Sequence, residues 1–323
     1  MQYRKFGRLD WKVSALGFGC MRFPIIGEDQ GKIDEPEATR MLHYAIDHGV
    51  NYLDTAYSYH EGNSERFVGR ALQDGYRERV KLATKLPCWM VERAEDFDRF
   101  FNEQLDRLRT DRVDFYLLHT LNQKSWTRVR DLGVLDWAER AMADGRIVHF
   151  GFSFHDEYEV FQEIVDAYDW TFCQIQYNYM DIEKQAGIKG LKYAASKGLA
   201  VVIMEPLFGG RLVNPPEPIQ AIFDSATKIR TPADWALQWL WDQPEVSVTL
   251  SGMSAMVQVE ENVASADASG PGTLTEEELA LIEQVREKYR QFCPIPCTQC
   301  RYCMPCPNGV NIPRNLGDGS QIG

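Results

Sequence analysis

"VDFYLLH", residues 113–119, is a short, largely apolar run that ends on a histidine. It lacks the polar alternation of a strand with one wet face and is far shorter than a membrane span. It therefore reads as a β-strand covered on both sides, as in a parallel sheet. Amphipathic segments flank it near 94–109 and 128–143. The same unit recurs along the chain. Further strand candidates stand at 12–19, 51–55, 80–86, 147–153, 172–177, 199–204 and 246–250, with amphipathic segments near 35–48, 64–74, 156–167, 183–197, 231–242 and 255–267. Eight strands, each followed by a helix, predict an α/β fold of the (β/α)8 TIM-barrel type. A doubly wound open sheet is the competitor, but no GxGxxG opens the first helix, so that fold's nucleotide fingerprint is missing.

Two stretches depart from the repeat. Residues 205–230 are too long for a plain connection after the seventh strand and are expected to cover the active face. Residues 271–292 read as a linker and a sealing helix, with Thr275 and Glu278 as a capping box and Leu274 and Leu279 as a hydrophobic staple. The expected organisation is thus a barrel over 1–270, the linker and helix over 271–292, and a cysteine-rich tail over 293–323.

Composition narrows the partners. The chain has 323 residues, 44% of them hydrophobic, and a net charge of −12. That charge disfavours nucleic acid or an anionic membrane as main partner. The N-terminus lacks the apolar core of a signal peptide, and no run approaches the ~20 residues of a membrane span. A cytoplasmic location is expected. Disulfides are disfavoured there, so clustered cysteines point to metal.

Strand ends carry the chemistry of a barrel. Asp54 and Tyr59 lie around the second strand, Lys85 ends the third and His119 the fourth. Singly, each fits an ordinary role as helix cap, loop aromatic, surface lysine or core histidine. Together they form a proton-transfer set. A tyrosine of pKa ~10 is a poor acid at neutral pH. A neighbouring ammonium stabilises its phenolate, and a carboxylate holds the ammonium.

"DTAYSYHEGNSE", "ATKLP", "DFYLLH", "GFSFH" and "QYN" together resemble the aldo-keto reductase family. The opening "YRKFGRLDWKVSALGFGCMRFP" resembles that family's N-terminal hairpin and first strand. The resemblance covers about residues 1–265. It implies a carbonyl reductase using NADPH or NADH on a small-molecule aldehyde or ketone. Asp54 would orient Lys85, Lys85 tune Tyr59, Tyr59 protonate the carbonyl oxygen, and His119 align the substrate. By the same resemblance Ser153 and Gln174 would hold the nicotinamide carboxamide, beside Gly19, Cys20 and Met21 of the first loop. Phe154 replaces an asparagine of many members, Met204 replaces a stacking aromatic, and Glu205 replaces a small hydroxyl residue. Ser254, Gln258, Glu261 and Asn262 match the adenosine grip. Gly252 and Gln258 replace a basic pair for the 2′-phosphate, so a relaxed or NADH-leaning preference is expected. Trp89, Met90 and Phe208 are candidates for an apolar substrate pocket.

The tail "CPIPCTQCRYCMPCPNGVNIP", 293–313, places Cys297, Cys300, Cys303 and Cys306 every third residue, with Cys293 as a spare. Four thiolates at this spacing, followed by Pro307, suggest a [4Fe–4S] cluster. Zinc is the alternative, though it more often uses two separated knuckles; unligated thiols are the third reading. "CMPCPNGVNIP" also resembles the ferredoxin-type extension of one subfamily, whose relatives often carry a second cysteine set. Cys88 and Cys173 read as packing residues. Three functions follow: a reductase whose cluster is structural or redox-sensing, an enzyme passing electrons through the cluster to a ferredoxin or flavoprotein partner, and a non-catalytic binding barrel.

Overall fold

A computed structural model describes residues 1–292 and 303–313. The chain opens with an antiparallel hairpin of β1 (Tyr3–Lys5) and β2 (Lys12–Ser14), in which Tyr3 faces Ser14. Eight strands then close a parallel barrel: β3 (Leu16–Gly19), β4 (Tyr52–Asp54), β5 (Lys81–Leu86), β6 (Val113–Leu121), β7 (Ile147–Phe154), β8 (Phe172–Gln176), β9 (Ala200–Met204) and β10 (Val246–Gly252). They pair in chain order, and β10 returns to β3. The run 12–19 is therefore two strands. It crosses from the hairpin to the barrel at Ala15.

Helices cover the outside: α1 (Glu35–Asp47), α2 (Asn63–Ala71), α3 (Glu95–Leu108), α4 (Gln123–Asp131), α5 (Val134–Ala143), α6 (Tyr158–Asp166), α7 (Gly187–Ser196), α8 (Glu217–Asp224), α9 (Pro232–Trp241), α10 (Met256–Asp267) and α11 (Glu276–Phe292). The expected helix 128–143 is broken at Gly133, whose φ of +83° no helix interior accepts. The upstream piece starts earlier, at an Asn122–Ser125 capping box. The 205–230 stretch is not a plain loop but carries α8, started by Pro218 in its first turn.

Inside the barrel a cluster of Phe6, Tyr52, Ala83, Phe115, Leu117, Phe172, Val202 and Val248 fills one end. Phe6, from the hairpin, lies 4.8 Å from the Phe115 ring, so the hairpin plugs the barrel. A larger cluster lies between strands and helices. A third joins Phe208, Leu212, Ile219 and Phe223 of the 205–230 excursion to Trp235 and to Ile282, Val285 and Tyr289 of α11. Thr275 and Glu278 form the expected capping box, at 3.0 and 3.2 Å. The staple is not closed. Leu274 enters the third cluster while Leu279 stays 39% exposed.

Candidate active site

Side chains two apart on a strand share a face. Tyr52, Ala83, Leu117, Phe172, Val202 and Leu250 belong to the interior cluster. One step of two toward the C-terminal ends therefore reaches Asp54, Lys85, His119, Gln174 and Met204, directed toward the mouth of the barrel, and Gly252, which leaves space there. Six strands deliver one ring of residues above a closed apolar plug.

Lys85 is fully buried, and its Nζ donates to Asp54 Oδ1 (2.6 Å), the Thr55 carbonyl (2.8 Å) and the Tyr59 hydroxyl (3.2 Å). Burial raises the Asp54 pKa, and the Lys85 charge and hydrogen bond pull it back. Tyr59 opens a short turn after β4 and sits edge-on to His119, ring centroids 6.0 Å apart. The turn is pinned by its neighbour His60, whose Nε2 accepts from the Phe23 N–H (3.2 Å) and whose Nδ1 meets the Gln30 carbonyl (2.9 Å). Burial, then the charges of Lys85 and His155, lower the His119 pKa well below the ordinary histidine range, so His119 is neutral at physiological pH. Trp89 stands at the rim, 5.1 Å from the His119 ring and 47% exposed. Met90 is also exposed, whereas Phe208 packs into the third cluster.

Asp54, Tyr59 and His119 line a cleft of about 570 Å³. The same cleft is lined by Gly19 at the end of β3 and Met21 beyond it, by Gln174 and Met204, and by Ser254, Gln258, Glu261 and Asn262 of the loop after β10 and of α10. Cys20 and Ser153 do not line it. Cys20 is buried with its thiol toward the Phe18 carbonyl, and the Ser153 hydroxyl accepts from the Thr120 N–H at 2.8 Å. Gln174 Oε1 is buried with no hydrogen-bond partner among the described residues, while its Nε2 lies 3.6 Å from Met204 Sδ. Gln258 Oε1 accepts from Ser254 N (2.8 Å) and Ala255 N (3.3 Å), and Asn262 Nδ2 donates to Ser251 Oγ (3.1 Å). Glu205 takes a left-handed φ of +54° at the start of the excursion, where Pro206, Leu207 and Gly209 form one wall.

The chain belongs to the aldo/keto reductase family. The sequence profile described as "Aldo/keto reductase family" matches residues 15–287. An uncharacterized oxidoreductase, YqkF, of Bacillus subtilis is 27% identical over 315 residues, covering 88% of this chain and 96% of that one. L-galactose dehydrogenase of Arabidopsis thaliana is 25% identical over 312 residues, with 90% and 96% coverage. Among solved structures, the holo form of aldo-keto reductase AKR11C1 from Bacillus halodurans superposes with a TM-score of 0.74 at 27% identity, covering 88% and 96% of the two chains. An aldo-keto reductase from Klebsiella pneumoniae solved with NADPH gives 0.70 at 25% identity, with 88% and 95% coverage. This aldo/keto reductase is thus an oxidoreductase on the barrel expected from its sequence.

Three residues of this family member escaped the sequence reading. His155 lines the cleft beside His119, signalled only as the last letter of "GFSFH". Arg22 also lines it and is the only lysine or arginine among the described lining residues. Its stem lies over Gly252, where a Cβ would sit 3.2–3.3 Å from the stem carbons. His60 holds the tyrosine turn. Cys293, Cys297 and Cys300 lie outside the described residues, Cys303 is exposed and Cys306 half-buried. Among the described residues no group of three or more His, Cys, Asp or Glu could hold a metal. No described helix is long and apolar enough to cross a membrane.

Proposed function

We propose that this protein reduces the carbonyl of a small aldehyde or ketone with hydride from NADPH or NADH, Tyr59 acting as general acid. The observation that carries this reading is the Lys85 Nζ, 2.6 Å from Asp54 and 3.2 Å from the Tyr59 hydroxyl, directly behind two residues that line the cleft. The cleft suits a nicotinamide. The unpartnered Gln174 Oε1 can accept from a carboxamide, and the Arg22 guanidinium can meet a phosphate. Bound NAD(P)H supplies the hydride. Tyr59 gives its proton to the carbonyl oxygen as negative charge develops there, and the adjacent ammonium stabilises the phenolate left behind. Asp54 keeps Lys85 in place, and neutral His119 aligns the carbonyl oxygen.

Gly252 and Gln258, at the positions matched to a basic pair in other members, carry no charge, and Arg22 is the one cation among the described lining residues. A relaxed or NADH-leaning preference remains our reading, and a tight NADPH complex with far weaker NADH binding would refute it. The tail is read as a [4Fe–4S] site with a structural or redox-sensing role, on the spacing of its cysteines.

Tyr59→Phe should lower kcat for a panel of aldehydes by about 10²–10⁴-fold, the range for a lost general acid. Cofactor fluorescence titration should give a dissociation constant close to that of the parent protein. Undiminished turnover in this variant would dismiss the tyrosine as proton donor.

A further inference from the structure

We infer that Glu65 and Gln104, buried between the barrel and its helices, and the half-buried Arg107 are positioning residues that set the separation of Lys85 and Tyr59 from outside the barrel. The inference rests on the proposed role of Tyr59. "NSE", 63–65, belongs to the stretch that carried the family resemblance, yet no step of the reaction uses it.

Glu65, on α2, is fully buried. Its Oε1 accepts from Thr84 Oγ1 and Gln104 Nε2, both at 2.6 Å, and its Oε2 accepts from Arg107 Nη1 at 3.2 Å. Gln104 Nε2 also donates to the Lys85 carbonyl at 3.0 Å, and Gln104 Oε1 accepts from the Tyr116 hydroxyl at 2.7 Å. One amide thus holds the backbone of the catalytic lysine and ties it to β6. Arg107 Nη1 donates as well to the Tyr57 carbonyl at 3.1 Å, two residues before Tyr59. Its guanidinium lies 4.0 Å from the Tyr57 ring centroid, and Tyr57 OH donates to Glu103 at 2.9 Å. The tyrosine turn is thereby hung from the same cluster. Ser64, next to Glu65, donates to the Cys20 carbonyl (3.0 Å) and meets Thr55 Oγ1 (2.9 Å). Thr55 is the residue whose carbonyl takes one Lys85 hydrogen bond. Lys85, its backbone acceptor and the Tyr59 turn are all gripped from two consecutive residues of α2 and one turn of α3.

A fully buried carboxylate such as Glu65 is costly to desolvate even beside a half-buried guanidinium, and an apolar filling of equal volume is often as stable. A role in geometry accounts for the pair better than a role in stability. Hydrogen bonds of this kind weaken steeply with distance and angle, so a shift of a few tenths of an ångström at Lys85 or Tyr59 would be felt by the proton donor. Titratable groups near the Tyr59 hydroxyl include Lys85 from β5 and His119 from β6, with Asp54 of β4 behind Lys85 and His155 in the same cleft.

The test uses the full chain with Arg107→Met and the isosteric Glu65→Gln. Tyrosinate formation is followed by ultraviolet difference titration, with Tyr59→Phe subtracted to isolate Tyr59. Both variants should move the Tyr59 titration and the alkaline limb of kcat upward by about one pH unit, a tenfold change in ionisation. The NADPH dissociation constant should stay near the parent value, and Arg107→Lys should restore part of the shift. A lower melting temperature with unmoved titrations would make the cluster mere packing and overturn the inference. Should Arg107→Met not fold, the same readings on Glu65→Gln decide. Full turnover in Tyr59→Phe would instead refute the proposed acid, while the spectroscopic titration would still read the brace.

Discussion

His119 and His155 enter the cleft from the end of β6 and from just beyond β7, and burial holds both neutral. His155 is lowered to about 4, chiefly by burial, with a Gln185 hydrogen bond working the other way. An unfolded histidine titrates at about 6.5. The unfolded chain therefore binds the extra proton first as pH falls. Stability from this group is complete above about pH 6.5 and declines as pH drops toward 4, by up to about 3 kcal/mol. His155→Gln should flatten that part of the urea midpoint against pH, measured as a difference from the parent so that carboxylate effects cancel. An identical slope in both proteins would show that His155 is not held neutral by the fold. At this scale the sequence was informative wherever a residue's type is its chemistry. Asp54, Tyr59, Lys85 and His119 could be named because few other groupings make a proton-transfer set. His60, His155 and Arg22 could not, because a lone histidine or arginine has many ordinary uses and only its neighbours say which applies.

The elements were legible to the extent that local physics sets them. All eight barrel strands lie within or against the apolar runs that predicted them, because a parallel sheet buried on both faces demands such runs. The long amphipathic segment 128–143 gave no warning of its break, since Gly133 mid-helix is costly but tolerable until tertiary packing requires its left-handed turn. The 205–230 excursion hid α8 because that helix exists by packing on α11 rather than by its own propensity. Arg230 joins these pieces. It pairs with Glu278 at the start of α11 and with Asp234 (3.6 Å), and lies 4.4 Å from the Trp235 ring centroid. Arg230→Ala leaves the half-buried Glu278 with only its Thr275 partner, at a cost of about 1–2 kcal/mol, between that of an exposed and a buried pair. The loss should be local. Hydrogen exchange of α11 amides should quicken while β5 and β6 keep their protection; uniform loss would mean α11 is part of the global folding unit.

At the scale of the molecule, the barrel and the tail pose separate questions. The family is established over 15–287, and the proposed tetrad lies wholly within that span. The [4Fe–4S] reading rests on cysteine spacing and on the resemblance of "CMPCPNGVNIP" to a ferredoxin-type extension. Protein purified without oxygen is expected to carry about four iron atoms per chain, the content of one such cluster. Cys300→Ala should lose the iron and keep NAD(P)H-dependent turnover. Zinc without iron would remove the cluster, and turnover lost together with iron would place the cluster in the reaction path. What the sequence determined by itself is the repeat of apolar runs and helices, and the polar residue type at each strand end. Both follow from short-range rules, the two-residue period of strands and the 3.6-residue period of helices. Only the tertiary structure decided which of those polar groups meet. Closing the barrel brings Lys85 to the Tyr59 hydroxyl with Asp54 behind it and His119 edge-on, seats Arg22 over Gly252, and links the lysine backbone to Gln104 and the tyrosine turn to Arg107. Those separations depend on how strands stagger and helices pack across the whole sheet, which no local stretch of residues encodes.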